Sequence, residues 1–86
     1  MKIIIKPGNG TLEVSIPDIA VKTRALRVII ELDDSVAEVT PANGSVKLRT
    51  PRGEYYLRSV KVAVRDVFSV EEKPPEVIIH RAVYVY

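Results

Sequence analysis

VAEVTPANGSVKLRTPRGEYYL, Val36 to Leu57, carries the pattern on which the fold turns. Apolar residues recur at every second position, at Ala37 and Val39 and again at Val46 and Leu48, with clusters of turn residues between them. A period of two marks a half-buried strand, because successive side chains in extended backbone point to opposite faces. Pro41 to Gly44 turns the chain and brings Val46 and Leu48 onto the face of Ala37 and Val39. Pro51-Arg52-Gly53 turns it again. If Arg49 pairs with Glu54, Val46 opposes Leu57 and Leu48 opposes Tyr55, so the parity of both strands agrees. In this register Glu38 lies beside Lys47 or Arg49, a cross-strand pair of opposite charge.

The same reading extends outward from this stretch. Leu26, Val28, Ile30 and Leu32 share a face, and Asp33-Asp34 makes a turn. At the start, KIIIK and TLEVSI flank Pro7-Gly8-Asn9-Gly10. Pairing Lys6 with Thr11 across that loop places Ile3, Ile5, Leu12 and Val14 on one face. Residues 17–24 are read as a crossover loop with one helical turn, an edge strand or short helix being the alternatives. Beyond Leu57 the apolar positions slip one step to Val60, Val62 and Val64, which predicts a β-bulge near Arg58-Ser59. Glu71 to Pro75 reads as a polar loop and Glu76 to Tyr86 as the last strand. The predicted fold is all-β: one domain over residues 1–86, a small meander-rich β-sandwich or barrel of about seven antiparallel strands.

Composition bounds what such a domain does. The chain has 86 residues, of which 47% are hydrophobic, room for a single core. It has no cysteine, so disulfides and thiolate metal sites are excluded. No apolar run approaches the ~20 residues of a helical membrane span, and MKIIIKPGNG lacks the pattern of a signal peptide, so the expected location is cytoplasmic. Glutamine and tryptophan are absent, and the asparagines, Asn9 and Asn43, each precede glycine. Many charges with few amides fit a thermophile protein, and Asn-Gly hairpin turns fit an idealised or designed one.

Catalytic chemistry has little to work with. His80 is the single histidine and lies in mid-strand, the serines lack a nucleophile elbow, and zinc would need several more His or Cys ligands. Asp33-Asp34 lacks the ligand spacing of a calcium loop, and PGNG lacks phosphate-loop spacing. No enzyme activity, cofactor or metal is therefore expected.

Two interaction surfaces stand out. Between Ser45 and Arg65 lie six basic residues and one acid, whereas the remainder holds seven basic and ten acidic residues. Lys47, Arg49, Arg52, Tyr56, Arg58, Lys61 and Arg65 are the residues that would hold nucleic acid on a basic face, by neutralising phosphates and stacking on a base. In that reading Tyr55 belongs to the core. The second surface is the last strand, which is apolar on both faces: Val77, Ile79, Val83 and Val85 on one, Ile78, Ala82, Tyr84 and Tyr86 on the other. A strand apolar on both sides has to be covered on both. Ile78, His80, Tyr84 and Tyr86 are the expected interface of a non-enzymatic structural domain that self-associates through its C-terminal strand. The alternative function is the nucleic-acid-binding module, and no membrane partner is expected.

Overall fold

The computed structural model describes residues 2–32, 35–65 and 68–84, with the backbone alone described at residues 65 and 82–84. Ten strands run through these residues. The first three are β1 (Lys2–Gly8), β2 (Thr11–Ile16) and β3 (Val21–Ala25). Then follow β4 (Arg27–Leu32), β5 (Val36–Ala42), β6 (Ser45–Thr50) and β7 (Gly53–Leu57). β8 (Val60–Arg65), β9 (Ser69–Lys73) and β10 (Glu76–Tyr84) complete the chain. The all-β expectation holds, with ten strands in place of about seven.

The strands lie in the order β3-β2-β1-β8-β10-β4-β5-β6-β7, with β9 also on β10. Two meanders, β1 to β3 and β4 to β7, make up most of two leaves, which pack face to face in a sandwich-like fold with β1 against β6 and β2 against β4 and β5. β10 is the seam: Val83 and Tyr84 pair with Arg65 and Val64 of β8, while Glu76 to Ile79 pair with β4. The β10–β4 pairing is parallel, so the sheet is mixed and not wholly antiparallel.

The core is aliphatic. Ile3, Ile5, Leu12, Val14 and Ile16 come from one leaf, and Val28, Ile30, Val39, Val46, Val77 and Ile79 from the other, all at most 2% exposed. No buried side chain is polar or charged among the described residues. Burial of these alternating side chains holds the strands in register, because a slip of one residue would turn each set into water.

Asn-Gly turns close two of the hairpins. Asn9 and Gly10 have φ of 48° and 79°, and Asn43 and Gly44 have 39° and 81°. Positive φ at both central residues is the type I′ turn, whose twist matches the strands it joins. The β1–β2 loop is thus two residues, with Gly8 opposite Thr11 and Lys6 opposite Glu13. The register differs by two from pairing Lys6 with Thr11, which leaves the faces unchanged, and Ile3, Ile5, Leu12 and Val14 are all buried.

Four segments depart from expectation. Residues 17–24 form no crossover loop: the expected helical turn is there, as a 3-10 turn at Pro17–Ile19 capped by Ala20 at φ 59°, and β3 then returns along β2 as the alternative, an edge strand. Leu26 does not share the face of Val28 and Ile30; it sits in the bend between leaves, 51% exposed, its N–H donating to the Pro75 carbonyl at 2.7 Å. Arg58-Ser59 is a break between strands rather than a bulge, and the chain crosses there from β7 in one leaf to β8 in the other. The polar loop before the last strand is mostly β9, which turns at Pro74-Pro75 and pairs along β10. The turn at Asp33-Asp34 lies outside the described residues.

Candidate functional site

The β6–β7 hairpin has the pairing read from its sequence: Arg49 opposite Glu54, Leu48 opposite Tyr55 and Val46 opposite Leu57. Lys47 and its partner Tyr56 lie on the outward face. What parity could not give is how far the facing leaf extends. β7 ends the sheet, and its core-facing side chains are left partly uncovered: Tyr55 is 46% and Leu57 38% exposed. Tyr55 is therefore not a core residue. Tyr56, on the opposite face, is 65% exposed. β7 thus presents apolar and aromatic surface on both sides of an edge that is unpaired among the described residues.

The basic residues are divided rather than gathered. Lys47 and Arg49 stand on the outer side of β6, but the Glu54 carboxylate lies 3.5 Å from the Lys47 Nζ and 3.9 Å from the Arg49 Nε. Glu38 is the register partner of Arg49 on the other side. Arg52 is at the hairpin tip and Arg58 in the link to β8. Lys61 is on β8, in the other leaf, because the chain switches leaves after Leu57. The Arg65 side chain is outside the described residues. The neutralising role of Glu54 was readable in the sequence, since the predicted register sets it opposite Arg49 and diagonal to Lys47.

From Glu76 to Ile79 the C-terminal strand is enclosed on both edges. β4 runs along one edge of β10, and β9 followed by β8 along the other. Ile78 is half-buried, flanked by Ile29 and Glu71. His80 is half-buried as well, with both ring nitrogens engaged by the neighbouring strands on the outer face of the sheet: Nδ1 lies 2.6 Å from Glu31 Oε1 and Nε2 3.0 Å from Glu71 Oε2. The bonds to Glu71 and Glu31 raise its pKa above the usual histidine value. Both nitrogens can donate only in the imidazolium, so this geometry calls for the charged ring. Just past His80, Arg81 takes φ 49° and the β4 pairing shifts, so Ala82 follows Ile79 in register opposite Leu32. The alternation that grouped Ile78 with Ala82 and Tyr84 is broken at this bulge. Tyr84 is described by its backbone, paired with Val64, and Tyr86 lies outside the described residues.

A cleft opens among the described residues where the leaves part beneath the β7–β8 crossing. Its volume is about 1000 Å³, and Leu48, Leu57, Val60 and Val62 line it together with Arg52 and Lys61. Comparison of the chain with protein-family models, curated proteins and solved structures found no match.

Proposed function

We propose that this is a non-enzymatic interaction domain that acts by self-association, and that the associating element is β7. The observation that carries the reading is a contrast between open edges. β3 carries Lys22 and Arg24, both exposed, and β9 carries exposed Glu72 and Lys73 beside Glu71, which bonds His80. Charges of this kind blunt an edge against pairing. β7 has Tyr55, Tyr56 and Leu57 exposed, and its one charge, Glu54, is engaged by Lys47 and Arg49. From Glu76 to Ile79 both edges of β10 are occupied by its own chain, so we assign strand addition to β7 rather than to that part of the C-terminal strand.

A second copy fits this edge in one register. The turn joins Thr50 to Gly53, so ladder alternation points the N–H and C=O groups of Gly53, Tyr55 and Leu57 toward β6. Those of Glu54 and Tyr56 face the open side. Antiparallel pairing about a two-fold axis at Tyr56 sets Tyr56 against its counterpart, Tyr55 against Leu57, and Glu54 against Arg58 of the other copy. Aromatic and apolar pairs then meet, and opposite charges face each other. Such an isologous contact closes as a dimer. Moving the axis to Tyr55 would set Arg52 against Arg58, two like charges.

The competing reading, a nucleic-acid-binding module, rests on exposed Tyr56 beside Lys47. Its charge is weakened where it is densest by Glu54. Light scattering on the size-fractionated protein, at low and high salt and with a single-stranded oligonucleotide, separates the two. A salt-insensitive dimer that Tyr56→Lys dissociates is the expected result. A monomer that shifts only when oligonucleotide is added at low salt would overturn it.

A further inference from the structure

The two leaves differ in the charge of their outer faces. In the leaf of β1, β2, β3 and β8, Ile3, Ile5, Leu12 and Val14 point into the core, so the alternate residues point to water. The registers set Lys6, Glu13 and Arg24 in one row of that outer face, and Lys22, Ser15, Ile4 and Lys61 in the next. Lys2 lies one row further, opposite Ala63 of β8. Lys61 is close in sequence to Lys47 and Arg49, but its side chain shares the side of Ile4, away from Val60 and Val62. Lys2, Lys6, Lys22, Arg24 and Lys61 are all exposed, and none has an ion-pair partner among the described residues. Glu13 is the acid among the described residues of these rows, and Asp18 lies off them in the β2–β3 connection. The other leaf is balanced instead: Arg27 pairs with Glu76, Lys47 and Arg49 meet Glu54, and His80 lies between Glu31 and Glu71.

We infer that this outer face binds the phosphate backbone of a nucleic-acid duplex without reading its sequence. Adjacent strands lie about 4.8 Å apart and alternate residues of a strand about 6.7 Å apart, so the cations form a lattice about 14 Å across from Lys22 to Lys61 and about 13 Å long from Lys2 to Lys6. A duplex carries one phosphate charge per about 1.7 Å of its axis, dense enough to engage a lattice of that size. The side chains present favour a duplex over a single strand, because single strands are gripped by stacking bases on aromatic rings and these rows hold none. An anionic bilayer also attracts cations, but firm attachment adds apolar side chains that enter it. Ile4 is half-buried between Ser15 and Lys61, and exposed Ile19 stands off the rows in the β2–β3 connection. Contacts to phosphate fix position and carry no sequence information. The face lies on the other leaf from β7, so this inference does not depend on self-association.

The test is fluorescence anisotropy of a short labelled DNA duplex titrated with the protein. A second duplex of unrelated sequence, one of the single strands, and vesicles rich in phosphatidylserine serve as competitors. Affinity for the duplex is expected to fall about 150-fold between about 50 and 200 mM salt, the drop for about four phosphate contacts. The two duplexes should bind within about twofold of each other, and the single strand and the vesicles more weakly. Lys22→Gln with Arg24→Gln, and Lys61→Gln separately, all at exposed positions, should weaken duplex binding severalfold and reduce the salt slope by about one for each cation removed. Lys47→Gln with Arg49→Gln, on the other leaf, should leave both unchanged. No binding at low salt, an affinity indifferent to salt, a strong preference for one duplex, tighter binding of the single strand or the vesicles, or equal losses from the two leaves would each overturn it.

Discussion

Tyr55 lies directly across from Leu48 on the core-facing side of the β6–β7 hairpin, yet Tyr55 is 46% exposed. The two residues share a face, and the facing leaf stops short of the outer one. A partly uncovered core-facing aromatic, on a strand with one edge unpaired among the described residues, is what a second copy would complete. At Tyr56, 65% exposed on the other face, Tyr56→Lys introduces a charge at the proposed dyad. The dimer dissociation constant should rise at least tenfold, a loss of about 1.4 kcal/mol. The monomer's own stability should change by no more than about 0.5 kcal/mol, as for ordinary surface substitutions. Sedimentation equilibrium and denaturant unfolding of the same samples check the two halves separately.

Charge reversal tests the register. Arg58→Glu places like charges opposite each other when the axis is at Tyr56 and should weaken the dimer about two- to thirtyfold, the scale of the two symmetry-related cross-strand charge pairs. Combining it with Glu54→Arg should restore much of the loss. With the axis at Tyr55 the sign reverses, because Glu at position 58 would face Arg52 and strengthen association. The change in dimer affinity distinguishes the two.

The His80 clamp makes stability depend on pH. Its folded pKa is raised by the bonds to Glu71 and Glu31. The clamp's contribution is therefore fully present below the unfolded value of about 6.5 and is lost as pH rises through the raised folded value. The melting temperature should fall from about pH 6.5 upward, and His80→Gln should flatten that part of the profile. A wild-type profile that rises over the same range, or one that His80→Gln leaves unchanged, would contradict the role of the clamp.

Backbone conformation at the hairpin turns is testable by one atom. Gly44 has φ 81°, and a methyl group added there would meet no heavy atom within 4 Å, so Gly44→Ala registers conformational strain alone. The expected cost is about 1–2 kcal/mol in urea unfolding. Gly10→Ala, at φ 79° in the equivalent β1–β2 turn, should cost a similar amount.

The Val36–Leu57 pairing is legible in the sequence because each strand carries several inward residues and each turn has its own chemistry. β9 is not, because it offers the core little beyond Val70, and one residue makes no period. β3 is similar: Val21 and Ala25 are its apolar inward residues, after a proline that suggests a loop. The slip at Arg58-Ser59 is a true signal, but a bulge and a crossing between leaves produce the same shift of parity. The parallel pairing of β10 with β4 joins segments 49 residues apart at Arg27 and Glu76, and no local pattern encodes it. For the site, the outward placement of Lys47, Arg49 and Tyr56 follows from parity, whereas the exposure of Tyr55 and Leu57 follows from the length of the opposing leaf.

The most direct measurement uses the absence of cysteine from the chain. A single Tyr56→Cys substitution should oxidise to a covalent dimer, because residues facing each other at an antiparallel dyad have Cα atoms about 5.5 Å apart, within disulfide range. Lys22→Cys, on the charged β3 edge, should stay monomeric under the same conditions. Equal cross-linking at both positions, or none at Tyr56→Cys, would contradict association through β7.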